Sequence, residues 1–309
     1  MIATADLEAH RRELLTFCYR MLGSVHDAED AVQETMIRAW RASDRYDAAL
    51  ASVRTWLHRI ATNVCLTAAA NRRRRALPAD LGAPGGDPTA LPIPSSEIAW
   101  LQPLPDSPED TAVVRNGLRL ALVAAMQRLP ARQRAALILR ETLDSSAEEI
   151  AAALDTTTAA VNSALQRARA TLAGAAGEPS LDPDDPAARR FVEAYADAVE
   201  RADIEAIRAL VTADVVLEMP PVPAWFVGPD DYARFMDAAL ARRTGWRMIH
   251  TRANGQPALI AYASTDAGTI GPHSYQVLDV GAGGIRRTTV FYDQALMAHF
   301  GVPQNSELR

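Results

Sequence analysis

Leu14, Phe17, Cys18, Met21 and Leu22 recur at i, i+3, i+4, i+7 and i+8, the stripe of an amphipathic helix. Val32, Met36, Ala39 and Trp40 make a second stripe, behind Asp27, Glu29 and Asp30, acids that suit a helix N-terminus. A third, Val53, Trp56, Leu57, Ile60, Ala61 and Val64, runs on into the arginines at 72–75 and is stopped by Pro78. No period survives over residues 76–110. The prolines between Pro78 and Pro108, with Gly85-Gly86, exclude regular elements and leave a linker with one apolar patch, Ile98-Ala99-Trp100-Leu101. Helices resume at Val113, marked by Leu118/Leu122/Ala125/Leu129, Leu137/Ile138, Ile150/Leu154 and Val161/Leu165/Ala168/Leu172. A Pro- and Asp-rich break at 177–186 follows.

Beyond that break the period changes. Phe191/Tyr195/Val199 and Ile204/Ile207/Val211 predict two short helices, 215–219 a strand and 231–243 a helix. Residues 246–252, 259–263, 273–280 and 285–292 read as strands, the last two joined by Gly281-Ala282-Gly283-Gly284, a hairpin signal. Helices first and an antiparallel sheet afterwards describe an α+β domain. The expected boundaries are 1–75, a linker at 76–114, 115–176, and 177–309 with a core at 187–303.

Charge sharpens this division. All 32 basic residues are arginine, and the chain as a whole carries −6. Residues 1–75 and 115–176 each carry +3, whereas 76–114 and 177–309 each carry −6. Two basic helical blocks separated and followed by acidic ones point to an anionic partner for the helices alone. Cys18 and Cys65 lie on apolar helical stripes and read as buried thiols, so neither a disulfide, a metal site nor a cofactor is expected. With no apolar run of about 18 residues and a polar N-terminus, the chain is expected in the cytoplasm, without a membrane partner.

The clearest chemistry lies between Ser145 and Leu172. Ser146 and Glu149 have capping-box spacing ahead of a short helix, Asp155-Thr156-Thr157 makes a tight turn, and a second helix starts at Thr158. That is a helix-turn-helix. Thr158, Asn162, Ser163 and Gln166 offer hydroxyl and amide groups to base edges, and Arg167 and Arg169 offer charge to phosphates.

Here the residues meet a family. Ala147-Glu148-Glu149-Ile150-Ala151 and Val161-Asn162-Ser163-Ala164-Leu165-Gln166-Arg167-Ala168-Arg169 resemble region four of extracytoplasmic-function (ECF) sigma factors, with Leu129-Pro130-Ala131-Arg132-Gln133-Arg134 as its opening segment. Asp155 stands where the family usually has glycine; aspartate tolerates the left-handed conformation better than most residues. The segment Asp27-Ala28-Glu29-Asp30-Ala31-Val32-Gln33-Glu34-Thr35 resembles the region-two helix that docks on the polymerase clamp. Arg54-Thr55-Trp56-Leu57-His58-Arg59-Ile60-Ala61-Thr62-Asn63 resembles the helix after the −10 recognition loop. The resemblance implies core RNA polymerase and promoter DNA as partners. It assigns −35 reading to Thr158, Asn162, Ser163, Gln166, Arg167 and Arg169. It assigns −10 binding to Tyr46, Arg54, Arg59, Asn63, Arg72 and Arg73, with 46–52 as the capturing loop, and polymerase binding to Asp27, Asp30, Gln33 and Glu34. Trp56, within an apolar stripe, is expected in the core rather than as a stacking platform.

The linker segment Trp100-Leu101-Gln102-Pro103-Leu104-Pro105-Asp106 resembles the motif of ECF members with a SnoaL-like extension, so Trp100, Leu101, Pro103, Pro105 and Asp106 are expected at an intramolecular contact between that extension and the sigma domains. Met219-Pro220-Pro221, Thr251-Arg252-Ala253-Asn254-Gly255-Gln256-Pro257-Ala258 and Phe300-Gly301-Val302-Pro303 resemble the extension itself. The fold class implied is multidomain: two all-α sigma domains, the second a helix-turn-helix, then an α+β cone-shaped domain. Relatives of that last domain include isomerases and cyclases, which leaves an unidentified small-molecule ligand open, with Glu218, His250, His273, Tyr275 and Asp279 as polar candidates. Strand alternation places His273, Tyr275, Val277 and Asp279 on one face. Fold alone grants no activity, and regulation is the expectation, with no catalytic residue assigned. Two rivals stand beside a regulated sigma factor: a small-molecule isomerase or cyclase, which leaves residues 1–176 unexplained, and a ligand-responsive helix-turn-helix repressor, which has no use for region two.

Overall fold

The computed structural model describes residues 4–70, 74–108, 110, 117–173, 179–293, 296, 297 and 300. The chain divides into two compact units: Met1–Arg75 with Leu120–Gly177, and Ala76–Arg119 with Glu178–Arg309. The proline-rich segment therefore belongs with the C-terminal domain, and the two basic blocks fold together as one helical unit. No helix among the described residues is long and apolar enough to cross a membrane.

The helical unit contains α1 (Thr4–Glu8), α2 (Arg11–Leu22), α3 (Val25–Arg41), α4 (Val53–Ala70), α5 (Leu120–Gln127), α6 (Ala131–Leu143), α7 (Ala147–Leu154) and α8 (Thr158–Ala173). Local signals set the boundaries. Gly23, at φ 70°, closes α2 by donating its N–H to the Tyr19 carbonyl, and the Ser24 hydroxyl accepts the Asp27 N–H to open α3. Leu14, Phe17, Cys18, Met21, Leu57, Ala61 and Cys65 fill the core between α2 and α4, with both thiols buried. Trp40 departs from expectation. It is 65% exposed, because the buried side of α3 runs through Ala28, Val32, Thr35 and Ala39 and the tryptophan falls one step beyond that stripe.

In α7–α8 the capping box is formed in both directions: Ser146 Oγ accepts from Glu149 N at 3.2 Å, and Glu149 Oε2 accepts from Ser146 N at 2.7 Å. Asp155 takes the left-handed conformation at φ 49° that the turn demands. Ile150 and Leu154 from one helix, and Val161, Leu165 and Ala168 from the other, bury the inner faces.

The second unit contains α9 (Pro186–Glu200), α10 (Ile204–Leu210), β1 (Val211–Glu218), β2 (Trp225–Val227), α11 (Pro229–Ala241), β3 (Arg247–Ala253), β4 (Gln256–Ser264), β5 (Ile270–Gly281) and β6 (Gly284–Phe291). The strands form one sheet in the order β2-β1-β6-β5-β4-β3, antiparallel apart from the β1–β6 pair. Strand β2 went unforeseen, since three residues carry no readable period, and β1 begins at Val211, four residues before the expected 215. Gly281 pairs with Gly284 across the expected hairpin turn. Tyr195, Ile207, Leu217, Phe226, Tyr232, Leu259 and Leu278 build the core between helices and sheet.

Residues of the linker cover the sheet's other side. Leu101 and Leu104 are 0% and 1% exposed, a burial worth roughly 1.5–3 kcal/mol each. An antiparallel sheet commonly leaves one face to water. Here the chain's own connecting segment takes that place.

Candidate nucleic-acid interface

On α8 the side chains at 158, 162, 166, 167 and 169 are exposed, opposite the buried row Val161, Leu165 and Ala168. Thr158, Asn162 and Gln166 follow one another at i, i+4 and i+8, a single row along the outer face. Ser163 is half-buried, and its hydroxyl accepts from Arg167 Nη1 at 2.5 Å. One residue expected to touch phosphate thus steers one expected to touch a base.

The loop before α4 has its own architecture. Tyr46 donates its hydroxyl proton to the Ala51 carbonyl at 3.0 Å, which closes the loop on itself. Its ring lies 5.2 Å from that of Trp56. Trp56 is only half-buried, contrary to the core position expected, because it faces a cavity of about 590 Å³ rather than the α2–α4 core. Tyr46, Leu50, Ser52 and Arg59 line the near wall of that cavity, and Leu139, Leu143, Ile150 and Ala153 of α6 and α7 line the far wall. Arg59 and Asn63 are exposed. Arg54 is engaged within the protein: its Nε donates to Glu13 at 2.7 Å and its Nη2 to the Thr142 carbonyl at 2.9 Å. Arg72 and Arg73 lie outside the described residues.

Helix α3 presents Asp30, Gln33, Ile37 and Trp40 on one exposed row. Glu34 pairs with Arg38 one turn on, at 2.6 Å. Asp27 stands apart from that row, only 11% exposed and paired with Arg75 at 2.5 Å.

In the C-terminal unit the linker is held mainly through backbone groups. Leu104 and Asn254 exchange backbone and side-chain bonds: Asn254 N donates to Leu104 O and Leu104 N donates to Asn254 Oδ1, both at 2.9 Å. Asn254 Nδ2 also donates to Leu118 O at 2.7 Å, so one fully buried side chain ties Leu104 to Leu118. Asp106 accepts from Gly255 N at 2.8 Å, Pro105 bridges to Ala253, Pro103 is buried, and Trp100 is half-buried with its indole N–H on Ser95 O at 2.8 Å. Ala79 N donates to Glu218 Oε2 at 3.3 Å.

The five polar candidates of this unit do not converge. Glu218 is fully buried beneath the linker, its Oε1 accepting from Arg287 at 2.7 Å and from Thr289 at 3.1 Å. His250 is exposed on β3, and Asp279 is bound to Arg286 at 3.2 Å. Tyr275 stacks on Phe300 at 3.9 Å, and burial drives its hydroxyl well above the ordinary tyrosine range. His273 does not share its face. A register shift between Ala261 and Tyr262 makes His273 the extra residue of a bulge, and its ring turns to the helix side, 4.9 Å from Trp246 and 5.5 Å from Tyr292. On that side the sequence had given no warning of a buried hydroxyl chain, Gln276–Tyr195–Tyr232–Thr288, linked at 3.2, 3.0 and 2.8 Å.

Burial, aided by Arg243, holds His273 down at about 4, so it stays neutral in the fold while the unfolded chain takes up a proton near 6.5. Between those values the unfolded state binds more protons, and stability falls as pH falls. Lowering pH from 7 to 4.5 should therefore weaken this unit by about 2 kcal/mol, allowing for partial exposure of the ring. Hydrogen exchange of β3–β5 at the two pH values measures the effect. A His273→Gln variant that keeps the full acid sensitivity would assign it elsewhere.

Family models match three stretches: Sigma-70 region 2 over residues 7–75, Sigma-70 region 4 over 119–172, and the SnoaL-like domain over 192–290. The ECF RNA polymerase sigma factor SigG of Mycobacterium tuberculosis is 43% identical, across 98% of this chain and 84% of its own. SigJ of the same organism is 28% identical, across 78% and 74%. The crystal structure of M. tuberculosis SigJ superposes with a TM-score of 0.63 at 21% identity, covering 96% of this chain and 99% of that one, which bears on the fold. With both sigma regions in order, a SnoaL-like domain behind them and a relative this similar over nearly the whole length, the chain belongs to the ECF RNA polymerase sigma factors.

Proposed function

We propose that this sigma factor reads the −35 element with the α8 row Thr158, Asn162, Gln166, supported by Ser163, Arg167 and Arg169, and takes the −10 element at the 46–52 loop with Arg54, Arg59 and Asn63. Core polymerase docks on the α3 row Asp30, Gln33, Ile37 and Trp40, with Glu34 at its edge. The C-terminal domain regulates rather than catalyses, and it does so in the cytoplasm, where polymerase works, by holding the linker. The observation that carries this reading is the strap itself: the segment connecting the two promoter-reading regions is bound across a sheet through Asn254 and its neighbours. The scatter of Glu218, His250, His273, Tyr275 and Asp279 over different surroundings argues against an active site. The reading requires no small-molecule ligand.

Run-off transcription with purified core polymerase tests the promoter assignments. Asn162→Ala should relax preference at one −35 position by about 1–3 kcal/mol, and Arg169→Ala should weaken all sequences alike while flattening the salt dependence. Transcription indifferent to both substitutions on every template would remove α8 from the promoter.

A further inference from the structure

Phe235, Ala239 and Arg242 follow one another at i, i+4 and i+7 along one face of α11, which ends at Ala241 with Arg242 and Arg243 just beyond it. The fold spends these two arginines unequally. Arg243 donates to Ser264 O at 2.6 Å and pairs with Asp266 at 3.2 Å. Arg242 donates to Thr89 O, a neutral acceptor, at 3.1 Å, and among the described residues no carboxylate pairs with it. A guanidinium carries five N–H donors, so most of this one is left for an anion. Burial pushes the neighbouring Tyr292 hydroxyl up to about 12, against the pull of the Arg242 charge, so it keeps its proton at neutral pH.

Both arginines border an open cavity of about 440 Å³, inside the range of roughly 300–1,000 Å³ common to small-molecule sites. Leu91, Phe235, Ala239 and Tyr292 give it an apolar wall, and all of its residues belong to the C-terminal unit. His273 also lines it, with its ring fixed edge-on between Trp246 and Tyr292 and its Nδ1 buried without a hydrogen-bond partner, a condition native proteins leave to few atoms. The interior between helices and sheet is a separate space, filled by Tyr195, Phe226, Tyr232 and Leu278. Charge restricts the occupant. Two guanidinium groups against one carboxylate, Asp266, leave one positive charge in excess. The negative end of the α11 dipole lies at the same place and disfavours a dianion such as a phosphate ester. An aromatic wall beside a guanidinium suits a planar acid. Part of the wall is linker: Leu91 packs against the core of this unit, Thr89 O holds Arg242, and Asp87 pairs with Arg234 at 3.4 Å.

We infer that this cavity binds a small aromatic carboxylate, with the carboxylate on Arg242 and the ring against Phe235, Ala239 and Leu91, and that occupancy clamps linker residues 87–91 onto α11. The site binds and does not catalyse. Its effect on transcription rests on the regulatory reading of the C-terminal domain given above; the binding and the clamp do not.

Calorimetric titration of the full-length protein with naphthoate, naphthamide and naphthyl phosphate tests the site. Naphthoate should bind about tenfold more tightly than either of the others. Arg242→Gln, at an exposed position, should remove that preference and leave the melting temperature unchanged. Ala239→Phe keeps both arginines but fills the cavity, and should abolish binding of all three probes. Hydrogen exchange of residues 87–91 should slow several-fold with naphthoate bound. No binding of naphthoate at millimolar concentration overturns the proposal, as does equal affinity for acid and amide, or an acid preference that survives Arg242→Gln. Binding that leaves 87–91 exchanging as before overturns the clamp. Slowed exchange with unchanged run-off transcription upholds the site and the clamp and counts instead against a regulatory C-terminal domain.

Discussion

Asn254→Ala is expected to strip the linker from the C-terminal domain and to change run-off transcription several-fold. Its carboxamide is fully buried and satisfies Leu104 N and Leu118 O together. Alanine leaves both groups buried and unpaired, at about 1–3 kcal/mol each. The backbone at this position, φ 57°, adds about 1 kcal/mol against a residue that dislikes the left-handed region. Asn254→Gly keeps the turn and removes only the side chain, so it separates the two contributions. Hydrogen exchange should speed up across residues 99–106 in both variants, and transcription should shift with it. Unchanged protection there would mean that Asn254 does not hold the strap; changed protection with constant transcription would make the strap architectural and not regulatory.

The second large effect belongs to Trp40. A tryptophan 65% exposed on the same row as Asp30, Gln33 and Ile37 (itself 37% exposed) contributes little to the fold and has a shape suited to an interface anchor. Trp40→Ala should weaken binding to core polymerase roughly 30-fold, the equivalent of about 2 kcal/mol, and leave thermal stability within about 0.5 kcal/mol. Direct titration against core polymerase and a melting curve give the two numbers. A variant that melts early and binds normally would return Trp40 to the core.

That contrast marks how far the sequence reads. Ser146, Glu149 and Asp155 were legible because a cap and a left-handed turn are decided by neighbours along the chain. Trp40 was misplaced because periodicity names a face of α3 and cannot name what covers it. His273 was misplaced for a different reason: one extra residue in β5 turns the side chain to the other face, and a bulge depends on the partner strand. The strap was half legible. Its apolar Trp100-Leu101 patch announced a docking segment, but its receptor, Asn254, lies 150 residues further on in a β-turn whose sequence has no reason to reveal a long-range partner. The hydroxyl chain from Gln276 to Thr288 draws on α9, α11, β5 and β6 and has no sequence period.

Removing the C-terminal domain at residue 177 is the obvious way to isolate the sigma regions, yet the strap makes it a poor experiment, since Leu104 and Leu118, both buried, would lose their bonds to Asn254. The same strap bears on reach. Residues 76–119, if loose, could be drawn out to about 150 Å and would average roughly 35 Å between their ends. Residues 76–108, bonded to the C-terminal unit, have the fixed span of a folded segment. On the regulatory reading proposed above, how much of the segment is docked would set the distance over which regions two and four can search, as with a leash wound on a drum.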